Sequence, residues 1–275
     1  MTTFFSEEAM EFTPFSPSKL STLKTCGLKT HYQYVEKLKE KDIPEKLRVT
    51  VDMSAAQFGT AMHRLSELVA EGVLLEKALP QVQREENLEA DLVEEVTAHQ
   101  HAVTNFSNRL DRFKEAHNLT QELREVELCV DEKLEPSDYW GKNTCLRGKA
   151  DIILLSADGS VAVILDLKTS KSASLKYAQD QLEFYTTLVF ALFPKVQTVR
   201  NGLYFLRLAK MMWVPNVSTR DNFPMDENNP TLIKIQQHSS SYFSAEEPEI
   251  HKNPLCNWCI YKGMCREEIK TRKSK

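Results

Sequence analysis

The sequence has no long hydrophobic run and few of the residues that mark fibrous or repetitive chains. Its longest uninterrupted apolar stretch, residues 188–193, is far shorter than the roughly 20 residues of a membrane-spanning helix. Glycine occurs 8 times and proline 11 times in 275 residues, which excludes collagen-like and Pro/Gly-rich disordered chains. The opening residues MTTFFSEEAM lack the basic region of a secretory signal. We therefore expect a cytoplasmic globular protein without a membrane partner.

Charge is nearly balanced overall but unevenly distributed. The net charge is −4, yet residues 76–135 hold 15 acidic and 7 basic side chains. The last fifteen residues carry a net charge of +4. A chain of this kind can present a basic surface to phosphates although its total charge is negative. The basic end is equally compatible with a solvated terminus.

Cysteine is also scarce, but three of the six cysteines are clustered. Without a secretory signal, a disulfide framework is not expected. Residues 256–265 contain the spacing C-x2-C-x5-C, which suits a metal centre that needs a fourth ligand. The candidates for that ligand are Cys26, Cys129, Cys145 and His251. The spacing alone is compatible with either zinc or an iron–sulfur cluster.

Hydrophobic periodicity predicts a mixed α/β protein with one main domain over residues 16–275, after a flexible, unstructured start at 1–15. Helices are predicted from residue 16, over 54–72, over an acidic helical insert at 73–118 that breaks near Pro80, and over 175–193. Strands are predicted over 125–130, 146–155, 161–167, 203–208 and 211–214. The turn at 157–159 makes the second and third strands a hairpin. Residues 215–250, rich in Ser, Asn, Pro and Asp, are predicted to form a long loop.

The hairpin carries the main chemical signal. Residues 148–151 (GKAD) place Asp151 on one strand, and the other strand carries Asp166 and Lys168. Residues two apart in a strand point to the same face, so Asp166 and Lys168 project together. Two carboxylates on adjacent strands can bind a hard divalent cation, and an ammonium beside them can orient water. An ordinary salt bridge at the end of a strand is the simpler alternative.

Two helices add further polar residues. His63 lies near the apolar face of the predicted helix 54–72, where a neutral imidazole can act as a ligand or can simply be a core residue. Gln181 and Tyr185 are four residues apart and therefore share one helix face. They are either a pair aimed at one target or an ordinary surface pair. Glu127, on the strand before the hairpin, is a further candidate for the site.

The order of these residues resembles the PD-(D/E)XK nuclease superfamily in its RecB-like branch. The pattern consists of His63, Asp151, Asp166-x-Lys168 and Gln181-x-x-x-Tyr185. The serine-rich segment at 16–20 before Cys26, followed by three C-terminal cysteines, is similar to RecB-like nucleases with an iron–sulfur cluster. CRISPR-associated adaptation nucleases and AddB-type subunits are examples. The resemblance implies a restriction-endonuclease-like fold, with a mixed central sheet flanked by helices, an N-terminal helical part and a C-terminal iron–sulfur knot.

The resemblance also implies a role for each matching residue. The Mg2+ or Mn2+ ligands would be His63, Asp151, Asp166 and the Leu167 carbonyl. Lys168 would position the attacking water, and Gln181 and Tyr185 would bind DNA. A [4Fe-4S] cluster, with zinc as the alternative, would bind Cys26, Cys256, Cys259 and Cys265, so that residues 251–266 close onto Cys26. Gly27 and Ala150 depart from the commonest family residues without removing a ligand.

The function that follows is a Mg2+- or Mn2+-dependent DNA exonuclease, acting on single strands or duplex ends in recombination, repair or phage DNA processing. A bacterial or phage-infected cell is the expected setting, with a helicase or recombination protein as partner. Two alternatives use the same residues differently. One is a catalytically silent DNA-end binding module that serves a helicase or integrase. The other is a zinc-stapled interaction protein that docks through its acidic helices.

Overall fold

A central mixed sheet organises the computed structural model, which describes residues 4–176 and 178–274. The strands are β1 (Leu119–Val130), β2 (Leu146–Ser156), β3 (Val161–Lys168), β4 (Thr198–Phe205), β5 (Lys210–Trp213) and β6 (Ser218–Thr219). Their order is β1-β2-β3-β4-β5, and β6 also pairs with β4. The β3–β4 pair is parallel and all other pairs are antiparallel. A parallel pair needs a crossover connection, which is the predicted helix after the hairpin.

Helices cover both faces of this sheet. They are α1 (Glu7–Glu11), α2 (Pro17–Thr25), α3 (Gly27–Thr30), α4 (Ser54–Ala70), α5 (Leu75–Glu85), α6 (Ala90–Ala116), α7 (Gln179–Leu192), α8 (Pro230–Ser244) and α9 (Lys262–Ser274). A π-helical turn at His31–Val35 and short 3-10 turns connect them. The predicted mixed α/β fold with a helix-flanked central sheet is thus confirmed.

Two hydrophobic layers hold the sheet between the helices. One face packs against the N-terminal segment, α7 and α8, through residues such as Phe15, Phe184 and Leu203. The other face packs against α4, α5 and α6, through residues such as Leu65 and Phe106. Strand β3 and the second half of β2, residues 152–156, are buried on both faces, which explains why their sequences are almost continuously apolar. A polar side chain in these strands is therefore costly unless it has a partner.

Three sequence predictions need correction. The stretch 1–15 is not unstructured where it is described, since α1 is helical and Phe12 is buried. The predicted loop at 215–250 contains the helix α8. The helical segment 73–118 does not break at Pro80, which lies inside α5 because Ala78 and Val82 on either side of it are packed in the core. The break comes instead at Asn87, whose φ is +48°.

A third, smaller cluster joins the two ends of the chain. Leu28, Tyr32, Ile43 and Tyr261 are its buried members. It brings α3 against the segment that precedes α9, and three cysteines, Cys26, Cys259 and Cys265, pack at its edge. Within the described ranges, no helix is both long enough and apolar enough to cross a membrane.

Candidate active site

The end of the β2–β3 hairpin positions two aspartates close together. Pairing of β2 with β3 ends at Ile152 and Leu165, so Asp151 and Asp166 lie where the two strands begin to part. The backbone N–H of Leu167 donates to Asp151 Oδ2 at 2.6 Å. This bond fixes one carboxylate against the neighbouring strand and leaves the other oxygen available.

Helix α4 brings His63 to the same place. Its apolar neighbours Met62 and Leu65 are fully buried, which directs His63 toward the edge of the sheet. His63 Nδ1 lies 3.7 Å from Asp151 Oδ1, and its Nε2 lies 3.0 Å from the Leu167 carbonyl oxygen. Three predicted metal ligands, two side chains and a carbonyl, therefore converge.

Asp166, Lys168 and Gln181 form the adjoining half of the site. Lys168 Nζ lies 2.8 Å from Asp166 Oδ2 and donates to Gln181 Oε1 at 2.9 Å. Asp166 is only 3% exposed, and its Oδ2 accepts no hydrogen bond from any described residue, although Lys168 is within ion-pair distance. A buried anionic oxygen whose one near partner is an ammonium ion is suited to receiving a cation.

Glu125 is the site residue that the sequence analysis missed. Ligand atoms of His63, Glu125 and Asp151 lie within 4.8 Å of one another. Glu125 also forms an ion pair with Lys149 at 2.9 Å. The sequence analysis named Glu127 on the same strand, but it is Glu125 that reaches the site. Its φ of +46° is rare for a residue with a side chain and marks local backbone strain of the kind found at functional sites.

The electrostatics of the site favour a bound cation. Burial, together with the negative charge of Asp166, raises the pKa of Asp151 to about 7, against the lowering effect of His63 and of the Leu167 N–H. A divalent cation would reverse this effect by stabilising the carboxylate. His63, Glu125 and Lys149 line an open cleft of about 570 Å³, so the site is reachable from solvent. Oxygen ligands with one imidazole match Mg2+ or Mn2+ in chemical type.

Tyr185 has a different setting from the one the sequence suggested. It is only 5% exposed, and its hydroxyl donates to the Lys149 carbonyl at 2.7 Å. A Cβ on Gly148 would lie 2.7 Å from the Tyr185 ring. Tyr185 thus packs on β2 beside the site, whereas the amide of Gln181 on the same helix reaches Lys168. The DNA contact of Tyr185 stays a prediction.

We expect Gly148→Ala to destabilise the protein by about 1–3 kcal/mol, which is typical of overpacking in a filled core. The added methyl group would push the Tyr185 ring off β2 and break its bond to Lys149. Urea unfolding measures the change. Gly72→Ala is a useful contrast, because that glycine has no neighbour within 4 Å and its strain comes only from a φ of +86°. If Gly148→Ala lowers the free energy of unfolding as much in Tyr185→Leu protein, which lacks the aromatic ring, as in the wild type, the ring contact is not the cause.

The four cysteines of the predicted cluster share one cavity. Cys26, Cys256, Cys259 and Cys265 all line a cavity of about 230 Å³. Burial raises the pKa of the Cys259 and Cys265 thiols. No three of these sulfur atoms, all of which belong to the described residues, lie within 4.8 Å of one another. Cys129 and Cys145 lie apart from this set, buried in or beside the sheet.

Two solved structures resemble this chain at low sequence identity. The sequence has no significant match among curated proteins. The crystal structure of SSO0001 has a TM-score of 0.41 and 15% identity, over 92% of this chain and 86% of that chain. A "Putative exonuclease" from Eubacterium rectale has a TM-score of 0.48 and 12% identity, over 90% of this chain and 87% of that chain.

The family assignment depends on the sequence profile, which covers most of the chain. Residues 14–266 match the profile described as the PD-(D/E)XK nuclease superfamily. The matched region contains the hairpin aspartates, Lys168 and the helix that carries Gln181. The chain belongs to the PD-(D/E)XK nuclease superfamily.

Proposed function

We propose that this protein is a Mg2+- or Mn2+-dependent deoxyribonuclease that hydrolyses phosphodiester bonds at DNA ends. The observation that carries the proposal is the convergence of His63, Glu125 and Asp151 within 4.8 Å, beside Asp166 and Lys168. A random cluster of surface acids would not include a carboxylate as deeply buried as that of Asp166, which is only 3% exposed. Membership in a nuclease superfamily supports DNA as the substrate.

Each side chain has a task that follows from its contacts. His63, Glu125, Asp151 and Asp166 would hold the divalent ion, with the Leu167 carbonyl as a further ligand. Such an ion supplies Lewis-acid stabilisation of the charge that develops on the scissile phosphate. Lys168, held between Asp166 and Gln181, would orient the attacking water and offset negative charge. Gln181 would act chiefly by fixing Lys168, and Tyr185 by fixing the strand that carries Lys149.

The proposal that cleavage occurs at DNA ends, rather than within a strand, is based on the resemblance to small RecB-like nucleases. Roles in recombination, repair or phage DNA processing, a cytoplasmic location and a helicase or recombination partner have the same origin. The silent DNA-end binding module is disfavoured because Asp151, Asp166 and Lys168 are all present and adjacent.

We also propose that the four clustered cysteines hold a [4Fe-4S] cluster. In a tetrahedral zinc site with Zn–S bonds of about 2.3 Å, the sulfur atoms lie about 3.8 Å apart. The four cysteines instead line one cavity of about 230 Å³, and no three of their sulfur atoms, all in the described residues, lie within 4.8 Å of one another, which is compatible with a centre larger than a single ion. The cluster would tie the segment around Cys26 to the segment at 256–265 and would have a structural role. Zinc is the rival, and it predicts a colourless protein.

The nuclease proposal is tested by degradation of end-labelled linear DNA with Mg2+ or Mn2+ and with chelator. We expect cleavage by the wild type with metal, none with chelator, and a loss of at least about 10²-fold in Lys168→Ala. Lys171→Ala is the matched control, because Lys171 is exposed on the loop just beyond β3. Thermal unfolding of each variant shows whether lost activity reflects lost folding. Equal cleavage by wild type and Lys168→Ala, or none by a folded wild type with either metal, would contradict the proposal.

A further inference from the structure

The connection between β1 and β2 presents an aromatic side chain to solvent. Trp140 is 74% exposed, the largest exposure of any large hydrophobic residue in the described ranges. One ring neighbour is Tyr139, in an edge-on arrangement with centroids 5.2 Å apart. The other is the Arg147 guanidinium, whose carbon lies 4.5 Å from the Trp140 ring centroid and 5.3 Å from that of Tyr139. We call Tyr139, Trp140 and Arg147 the Trp140 platform.

The Trp140 platform is held in place by a hydrogen-bonded turn. Arg147 Nη1 donates to the Tyr139 carbonyl at 3.0 Å. The Trp140 N–H donates to Asp138 Oδ1 at 3.3 Å, and the Gly141 N–H donates to the Asp138 carbonyl at 2.7 Å. A ring that is already oriented loses little conformational entropy when a ligand stacks on it. An exposed indole on a fixed turn is thus prepared for a flat partner.

The charge at the Trp140 platform suits a phosphate. In the part of the chain that the structure describes, no carboxylate lies within 4.0 Å of the Arg147 guanidinium. Two acids of this connection are directed elsewhere: Asp131 accepts backbone N–H groups at 133 and 135, and Asp138 accepts that of Trp140. Glu127 acts electrostatically on Tyr139, against the opposite effect of Arg147. Arg147 can therefore offer a charged hydrogen bond while its plane supports the ring.

The Trp140 platform also lies in line with the candidate active site. Arg147, Lys149 and Asp151 are successive alternate residues of β2. Because Gly148 between them faces Tyr185, Arg147 and Lys149 point away from α7. Lys149 lines the cleft of the candidate active site. At about 3.3 Å per residue, Arg147 begins about 13 Å from Asp151 along the strand. A short extended strand of nucleic acid spans that distance.

We propose that the Trp140 platform binds single-stranded DNA by stacking one unpaired base on the indole, with Arg147 on the adjoining phosphate. The strand would then pass Lys149 to reach Asp151. The inference deepens the proposed nuclease function by naming a single strand as the substrate form. Every base has a flat face, so stacking tolerates any sequence. Paired bases inside a duplex do not expose that face, so the Trp140 platform selects for unpaired ends.

The inference is tested by binding of a fluorescent oligo(dT) of about 15 nucleotides in the presence of Mg2+. The measurement uses Lys168→Ala protein, so that the oligonucleotide is not degraded. Adding Trp140→Ala should weaken binding about 10-fold or more, whereas Trp140→Phe should stay within about 3-fold. Trp258→Ala is the matched control, since Trp258 is 54% exposed but lies in the cysteine segment. Binding of a blunt duplex should change less than about 2-fold in all variants. Quenching of tryptophan fluorescence by oligo(dT) should be largely lost in Trp140→Phe while affinity remains.

The outcomes separate this inference from the nuclease proposal. Unchanged oligo(dT) affinity in folded Trp140→Ala, or equal losses for single strand and duplex, would overturn the stacking site. It would also fail if Trp258→Ala lost as much affinity, or if Lys168→Ala protein bound no oligo(dT). If the wild type cleaves DNA and Trp140→Ala changes nothing, the nuclease stands and the stacking site falls. If the wild type is inert but the Trp140 effect on binding is present, the stacking site stands and the nuclease proposal falls.

Discussion

Replacing Asp151 with asparagine is expected to abolish most DNA hydrolysis and, at the same time, to stabilise the metal-free protein above neutral pH. The Asp151 side chain is only 15% exposed, and its burial is the main reason for the raised pKa of this carboxyl. Asparagine retains an oxygen that can accept the Leu167 N–H but carries no charge for a cation. We expect cleavage to fall about 10²–10³-fold, as when a main electrostatic contact to the transition state is removed.

The stability gain from Asp151→Asn depends on pH in a defined direction. An unfolded aspartate ionises near pH 3.8, whereas Asp151 in the folded metal-free protein keeps its proton up to about pH 7. Between these values the folded state binds more protons than the unfolded state. The free energy of unfolding of the wild type therefore falls as pH rises through this window. Urea unfolding in chelator should show a small gain for the variant at pH 4.5, near the start of this window, and a gain larger by about 1–3 kcal/mol at pH 8.

Asp158→Asn is the matched control for this experiment. Asp158 lies in the turn of the same hairpin, and hydrogen bonds from Ser156 and Ser160 lower the pKa of its carboxyl to about 2. Its replacement should leave cleavage intact and should lower stability above the unfolded pKa, the opposite sign to Asp151→Asn. The free energies of unfolding of the wild type and of Asp151→Asn are compared from pH 4.5 to 8. If the two change in parallel with pH, burial of the ionised Asp151 carboxylate does not destabilise the protein. Retained cleavage in the variant would remove Asp151 from the metal site.

The sequence alone indicates those site residues that lie close together along the chain. Asp166 and Lys168 are two apart on one strand, so the alternation of side chains is enough to place them together. Glu125 could not be found this way. Glu125 and Glu127 are two residues apart on one strand, so the alternation of side chains assigns both to the same face. Only the register of β1 against β2 separates them. Glu127 lies opposite Lys149, whereas Glu125 lies between two residues that pair with Ile152 and Ala150, the neighbours of Asp151.

Elsewhere in the fold, the polar composition of a segment favours a loop although the segment also contains residues that cap a helix. The helix α8 lies in the segment 215–250, where an abundance of Ser, Asn, Pro and Asp predicts a loop. Its start is nonetheless marked: Asn229 accepts the N–H groups of Thr231 and Leu232, and Pro230 occupies the first turn. Likewise Ser6 caps α1 by accepting the Ala9 N–H. Whether such short helices form depends on tertiary burial, which a single sequence does not display.

Replacing Cys256 with serine is expected to remove the iron and to lower the stability of the protein sharply. The cysteine segment is otherwise joined to the N-terminal part by a small cluster with four buried residues, around Tyr32 and Tyr261. A link between Cys26 and Cys256 closes a chain loop of about 230 residues. By the loop-closure relation, such a link contributes about 5 kcal/mol by restricting the unfolded chain. Protein purified without oxygen should be brown with about four iron atoms per chain in the wild type, and colourless in Cys256→Ser.

Cys129→Ser is the control that separates a ligand from an ordinary buried thiol. The Cys129 thiol donates to the Ser137 carbonyl at 2.9 Å, and a serine hydroxyl can make the same bond. This variant should keep its iron, its colour and most of its thermal stability. If the wild type contains zinc and no iron, the centre is a zinc site and not an iron–sulfur cluster. If Cys256→Ser keeps the iron content of the wild type, Cys256 is not a ligand. Because the cysteines and His63 line different cavities, cleavage per folded molecule of Cys256→Ser should stay near that of the wild type. A loss of cleavage greater than the loss of folded protein would instead give the cluster a part in the reaction itself.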